Sequence, residues 1–237
     1  MKNNLLASLL TLGLTLALIG TAPIVHSEEA VSAANEANSA SGKEKSGTCA
    51  NCHGEDGNSM MPTFPKLSEQ HAAYLAKQLY AFKDGSRKDP VMAPMAMALN
   101  DADIADISKY YSKQKISTNP EPTLPVDEDS ADSATDEKKA KDAMQALLLK
   151  GSNLYRNGNL ASAVSACIAC HGPSGEGNKP ATFPALRSQH ADYLIKTLTD
   201  FKNGTRSANP ENMMYMITKK MTDEEIKAVS YYISTMN

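Results

Sequence analysis

All four cysteines of the sequence fall in two copies of one pattern, C-x-x-C-H: Cys49, Cys52 and His53, then Cys167, Cys170 and His171. The spacing puts two thiols on one helical turn, where they add across the two vinyl groups of a haem. The adjacent histidine then reaches the iron from the same side. Three other chemistries use paired cysteines. A four-cysteine zinc site does not explain a histidine directly after each pair. A redox dithiol needs a βαβ context that is absent, and two-residue loops in both halves are poor places for structural disulfides. The motifs therefore predict two covalently attached c-type haems.

A second iron ligand can be sought in the repetition of the chain. Residues 63–87, TFPKLSEQHAAYLAKQLYAFKDGSR, align with residues 182–206, TFPALRSQHADYLIKTLTDFKNGTR, with 15 of 25 positions identical. Downstream, NDADIADISKYYS aligns with TDEEIKAVSYYIS, from Asn100 and Thr222. At that offset Met92 falls on Met214, and no other methionine of the segment meets a methionine. Methionine often only fills gaps in a core, but a ligand must recur in both copies. Met92 and Met214 are the predicted axial partners of His53 and His171, with Met95 and Met216 as runners-up. His/Met ligation raises the reduction potential and fills both axial positions, leaving no open position for peroxide or substrate. It points to electron transfer and away from catalysis.

Further residues recur with the motifs. Pro65 and Pro184 follow the histidines by 12 and 13 residues, and either carbonyl can accept the imidazole N–H that a metal-bound histidine presents; a plain turn proline is the competing explanation. His71 and His190 each follow a glutamine and suit a hydrogen bond to a haem propionate or across the domains. Arg87 and Arg206 suit propionate pairing or a solvated surface. The tyrosines at 110–111 and 231–232 read as core.

The elements that position these residues read as helices and loops. His71, Tyr74, Leu75, Gln78, Leu79 and Phe82 recur at helical spacing, and Gly85 ends the pattern. Ile104, Ile107 and Tyr111 share one face of a last helix, whose counterpart opens with a capping box from Thr222 to Glu225. A helix is expected before each cysteine pair, around Gly42–Thr48 and Lys139–Tyr155. The stretches His53–Thr63 and His171–Thr182 are loops. No β pattern occurs, so the class is all-α. Residues 118–138 carry three prolines and a run of acids and read as a solvated linker. It separates domains at 28–117 and 139–237.

At the N-terminus, Lys2, the apolar stretch Leu5–Ile19 and Val25-His26-Ser27 read as a signal peptide over residues 1–27. Its removal takes one of the 24 basic residues and none of the 27 acidic ones, so 23 − 27 leaves a net charge of −4. Such a balance excludes a nucleic-acid footprint. No second apolar segment approaches membrane-spanning length.

The duplicated C-x-x-C-H-G, the F-P-x-L-x-x-Q segment, the K-x-L…F-x-x-G-x-R helix and the methionine eight residues before Asn-Asp or Thr-Asp resemble the dihaem cytochrome c4 family. The resemblance spans about residues 40–115 and 145–237. It implies two class I cytochrome c domains about a pseudo-twofold axis, each wrapped round a haem, ligated by His53 with Met92 and His171 with Met214. It implies a periplasmic and loosely membrane-associated carrier, taken as a monomer, that relays electrons from a quinol–cytochrome c oxidoreductase toward a terminal oxidase or other reductase. The acidic linker looks longer than the family's connection. Two other functions compete: the cytochrome subunit of a flavin-containing sulfide dehydrogenase, and a dihaem peroxidase. The paired methionines disfavour the peroxidase.

Overall fold

A computed structural model describes residues 37–125, 133–206 and 212–237. The segment read as a signal peptide lies outside the described residues.

The first half is built from α1 (Ser39–Lys45), α2 (Gly47–His53), α3 (Ala72–Lys83), α4 (Met92–Met97) and α5 (Asp101–Ser112). The second repeats the order with α6 (Ser133–Asn157), α7 (Ile168–His171), α8 (Ala191–Lys202), α9 (Met213–Thr218) and α10 (Asp223–Ser234). Outside the helices, two isolated bridges, Asn159 with Val164 and Asn178 with Phe183, are the β pairing among the described residues. The architecture is all-α.

Two helix boundaries depart from the sequence reading. The helix expected before Cys49 breaks at Ser46, whose N–H still bonds the Gly42 and Lys43 carbonyls, so α1 and α2 are separate helices joined at that residue. The helix before Cys167 begins at Ser133, inside the stretch read as extended to Lys138. Its polar first turns gain i,i+3 and i,i+4 ion pairs, Asp136–Lys139 and Lys138–Asp142, which offset the low hydrophobicity that argued against helix.

Both last helices start on capping boxes. Asn100 accepts from the Asp103 N–H in α5, as Thr222 does from the Glu225 N–H in α10, and each acid bonds back to the cap N–H. The first and last helices of each half cross at a glycine. A Cβ on Gly42 would lie 2.0 Å from the Asp106 carbonyl oxygen, and one on Gly151 would lie 2.1 Å from that of Ala228. Only a residue without a side chain permits this approach.

The apolar interiors differ. Leu154, Tyr155, Val164, Leu194, Met221, Ile226, Val229, Ile233 and Met236 form one buried cluster in the second half. The first half divides its smaller set between Leu75, Ile107, Tyr110 and Tyr111, and Ala76 with Ile104. Tyr110 and Tyr111 are buried as expected, but Tyr231 and Tyr232 are only half-buried. Tyr155 takes the interior position instead, its ring centroid 5.8 Å from that of Tyr232.

The halves pack together, and the start of the connecting segment is fastened to the second. The Asn119 side-chain amide donates to the carbonyls of Ser188 (2.9 Å) and Ser234 (3.0 Å).

Candidate haem sites

Each C-x-x-C-H motif ends a helix, and the chain leaves it through a glycine in left-handed conformation, Gly54 at φ 81° and Gly172 at φ 79°. The loop that follows closes in the same way in both copies. Leu67 N–H donates to the Gly57 carbonyl and Leu186 N–H to the Gly175 carbonyl, each at 2.7 Å. That closure brings the prolines back over the histidines.

The His53 Nδ1–H donates to the Pro65 carbonyl at 2.9 Å, and the His171 Nδ1–H to the Pro184 carbonyl at 2.9 Å. With Nδ1 so engaged, Nε2 is the nitrogen left to bind a metal. Both rings are buried beside a phenylalanine, His53 against Phe64 and His171 against Phe183, with centroids 6.1 and 6.4 Å apart. Burial lowers the pKa of both histidines, although the proline carbonyls oppose it. The neutral ring is the ligating form.

The cysteines are half-buried and unpaired. Burial raises the Cys49 thiol and pushes that of Cys167 up to about 11. A redox dithiol needs the opposite shift, so the geometry disfavours that chemistry. No three His, Cys, Asp or Glu side chains converge to hold a metal ion among the described residues, which removes the four-cysteine zinc site. The thiols and imidazole on one helix end fit a covalent haem in each half.

Met92 is the first residue of α4 and Met214 the second of α9. Both are half-buried. The runners-up point outward, Met95 at 46% exposure and Met216 at 40%. The Met92 N–H donates to the Asp89 carboxylate (2.9 Å), and the Asn212 side chain accepts from the Tyr215 N–H (3.1 Å), which fixes the two helix starts.

The other repeated residues meet across the domains. His71 Nε2–H donates to the Glu176 carbonyl (2.9 Å), and His190 Nε2–H to the Ser59 carbonyl (3.0 Å). Arg87 donates to the Tyr193 hydroxyl and Arg206 to the Tyr74 hydroxyl, at 3.2 and 3.0 Å, and Gln78 accepts from both arginines. The guanidiniums also stack, Arg87 over Phe82 and Arg206 over Phe201. Burial opposes ionisation of Tyr193, but the charges of Arg87 and Arg206 outweigh it and lower its pKa. Sequence reasoning weighed the histidines and arginines and passed over Gln70, Gln189, Tyr74 and Tyr193. Their identity in both copies was the available signal.

Two helical domains, each presenting a C-x-x-C-H helix end to a proline-anchored histidine, define a dihaem c-type cytochrome. The cytochrome c family model matches residues 39–115 and 148–237. The sequence is 38% identical over 236 residues to cytochrome c4 of Pseudomonas aeruginosa, covering 99% of this chain and 100% of that one. The crystal structure of reduced recombinant cytochrome c4 from Pseudomonas stutzeri matches with a TM-score of 0.72 at 36% identity, over 85% of this chain and 100% of that one. A thiosulfate dehydrogenase electron acceptor of Stutzerimonas stutzeri is 33% identical over 189 residues, 79% of this chain and 78% of that protein. The chain belongs to the cytochrome c4 family. It carries two covalent haem c groups, on Cys49 with Cys52 and on Cys167 with Cys170, and is an electron-transfer protein.

Proposed function

We propose that this protein is an exported dihaem relay, with both irons held by histidine and methionine, that carries electrons from a quinol-oxidising complex to a terminal oxidase or another reductase. The observation that carries this reading is a repeated pair of residues: a buried histidine anchored by a proline carbonyl, and a half-buried methionine at the start of a short helix, in each half. Each haem supplies a one-electron Fe(III)/Fe(II) couple. His53 with Met92, and His171 with Met214, would hold the two haem irons, and two protein ligands on each iron would leave no position open to substrate or peroxide. Pro65 and Pro184 hold the imidazole tautomer, and Arg87 and Arg206, which donate to tyrosine and glutamine oxygens across the domains, would offer positive charge to propionates. The N-terminal pattern at residues 1–27 supports export to the periplasm. No helix among the described residues is long and apolar enough to cross a membrane.

A visible and near-infrared spectrum with a redox titration tests the ligands. Two low-spin haems, each with the weak methionine-to-iron band when oxidised, are expected. Met92→Ala should remove that band from one haem only. A high-spin haem or rapid peroxide turnover in the unaltered protein would overturn the reading.

The similarity to a thiosulfate dehydrogenase electron acceptor favours a second donor, a thiosulfate dehydrogenase. Stopped-flow reduction by each purified donor separates the two. The physiological donor should reduce the protein faster and with the stronger salt dependence.

A further inference from the structure

The prolines that anchor the two histidines are also the points at which each domain grips the other. Pro65 C=O and Lys66 N–H belong to one peptide group. His53 donates to its oxygen at 2.9 Å, while its N–H donates to Gln189 Oε1 of the second domain, also at 2.9 Å. The arrangement is reciprocal. The peptide group between Pro184 and Ala185 accepts from His171 at 2.9 Å and donates to Gln70 Oε1 of the first domain at 2.9 Å.

Each glutamine is fixed in orientation. Gln189 Nε2 donates to the Lys66 carbonyl (2.9 Å) and Gln70 Nε2 to the Ala185 carbonyl (2.8 Å), so the oxygen must face the N–H groups. Each Oε1 also accepts from the next residue's N–H, His190 or His71, at 3.0 Å. The residues just before them, Glu69 and Ser188, hold left-handed backbone at φ 61° and 51°. Side-chain-bearing residues are rarely found there, and the strain is matched in the two copies, where it turns each glutamine toward the other domain. Gln70, Gln189 and Lys66 are all buried.

Hydrogen bonds in series polarise one another. An acceptor on the Lys66 N–H raises electron density on the Pro65 carbonyl, which strengthens the bond from His53 and makes the imidazole a better donor to iron. A better donor favours Fe(III), so the glutamine lowers the reduction potential. We infer that Gln189 and Gln70 are crossed positioning residues: each sets the ligand strength of the histidine in the opposite domain through the shared proline peptide, coupling the potential of each haem to domain docking. The inference rests on His53 and His171 being axial ligands.

Gln189→Met and Gln70→Met remove the hydrogen bonds while keeping approximate volume. Potentiometric titration of the holoprotein, followed by hyperfine-shifted haem resonances assigned to each domain, reads both potentials. Gln189→Met should raise the potential of the haem on Cys49 and Cys52 by about threefold in the reduction equilibrium, ~28 mV at 59 mV per tenfold for a one-electron couple, and leave the other unmoved. Gln70→Met should do the converse. Hydrogen exchange should quicken at the Lys66 amide in the first variant and at the Ala185 amide in the second. Unmoved potentials, a shift in the glutamine's own domain, or equal shifts of both haems in both variants would overturn the crossed relay, the last showing only looser docking. Failure of the ligand assignment itself is distinguishable, because it would appear as altered spin state or a missing methionine band in the unsubstituted protein.

Discussion

The two halves pin the same helix end with tyrosines from opposite ends of the domain. In the first, Tyr110 of the last helix donates to the Glu55 carbonyl just past the motif, at 2.8 Å. In the second, Tyr155 of the first helix donates to the Gly172 carbonyl, at 2.6 Å. The surrounding cores differ as well, one nine-residue cluster against two smaller ones. Yet the histidine-to-proline bond has the same length in both. The site geometry is therefore set by the loop that closes on Gly57 or Gly175, and the core behind it has drifted.

Paired substitutions can break this comparison. Ile104 and Ile226 occupy equivalent places and are buried alike. Ile226→Ala should cost about 2–5 kcal/mol of unfolding free energy, and Ile104→Ala should fall at the lower end, because its neighbours form a smaller apolar set. Denaturant melts of the holoprotein followed at each haem would show it, and equal costs would mean that the cores are equivalent after all.

The glycine crossings should behave identically in the two halves. Gly42→Ala and Gly151→Ala each force a methyl into a helix carbonyl, an overpacking penalty of about 1–3 kcal/mol. A lowered melting temperature in both variants is the expected result. A neutral effect in one half would show that its helices can slide apart.

Acid should loosen the contact between the halves. Burial, opposed by the Glu176 carbonyl and reinforced by Lys179 and Arg187, lowers the pKa of His71. Burial also lowers that of His190, against the Ser59 carbonyl and Asp192 and together with Lys66. The docked state thus binds fewer protons than the undocked one. Its stability is complete above the ordinary value of 6.5 and declines as pH falls below it toward the lowered values. Small-angle scattering between pH 8 and about 5 should show the pair opening, and His71→Gln should flatten the dependence.

The smallest effect belongs to a contact that has no mirror image. Arg187 reaches Glu69 across the interface at 2.6 Å, whereas the equivalent positions hold Ser68 and Ser188. Both partners are partly exposed, so Glu69→Gln should cost less than about 1 kcal/mol and should matter less as salt increases. A larger loss in the same melts would make this pair the main clasp.

Much of this could be read from the chain. The motif spacing carried the haem attachment. Helical periodicity located α3, α5 and α10, the repeat carried α3 onto α8, and the positions of Pro65 and Pro184 anticipated their bonds to the histidines. What escaped depends on distance in space. Gly42 and Gly151 look like ordinary weak points in a helix until another backbone lies against them. Tyr155 outranks Tyr231 and Tyr232 because the first helix of the second half is long enough to bring it inside. Gln70 and Gln189 were hidden for a related reason. Their partners are backbone groups more than a hundred residues away, and a backbone group leaves no mark in the side-chain pattern.

The Asn119 clasp bears on evolution of the connecting segment. With the chain tacked to the second domain at Asn119, the span between the two domains is set ahead of that residue, and residues inserted after Asn119 make an excursion that no longer sets it. Their length then has little effect on the local concentration at which the halves meet. Lengthening such an excursion costs only about 0.6 kcal/mol for each doubling. An acidic insert can accumulate there almost without consequence for docking, a tolerance that a linker strung freely between two bodies would lack.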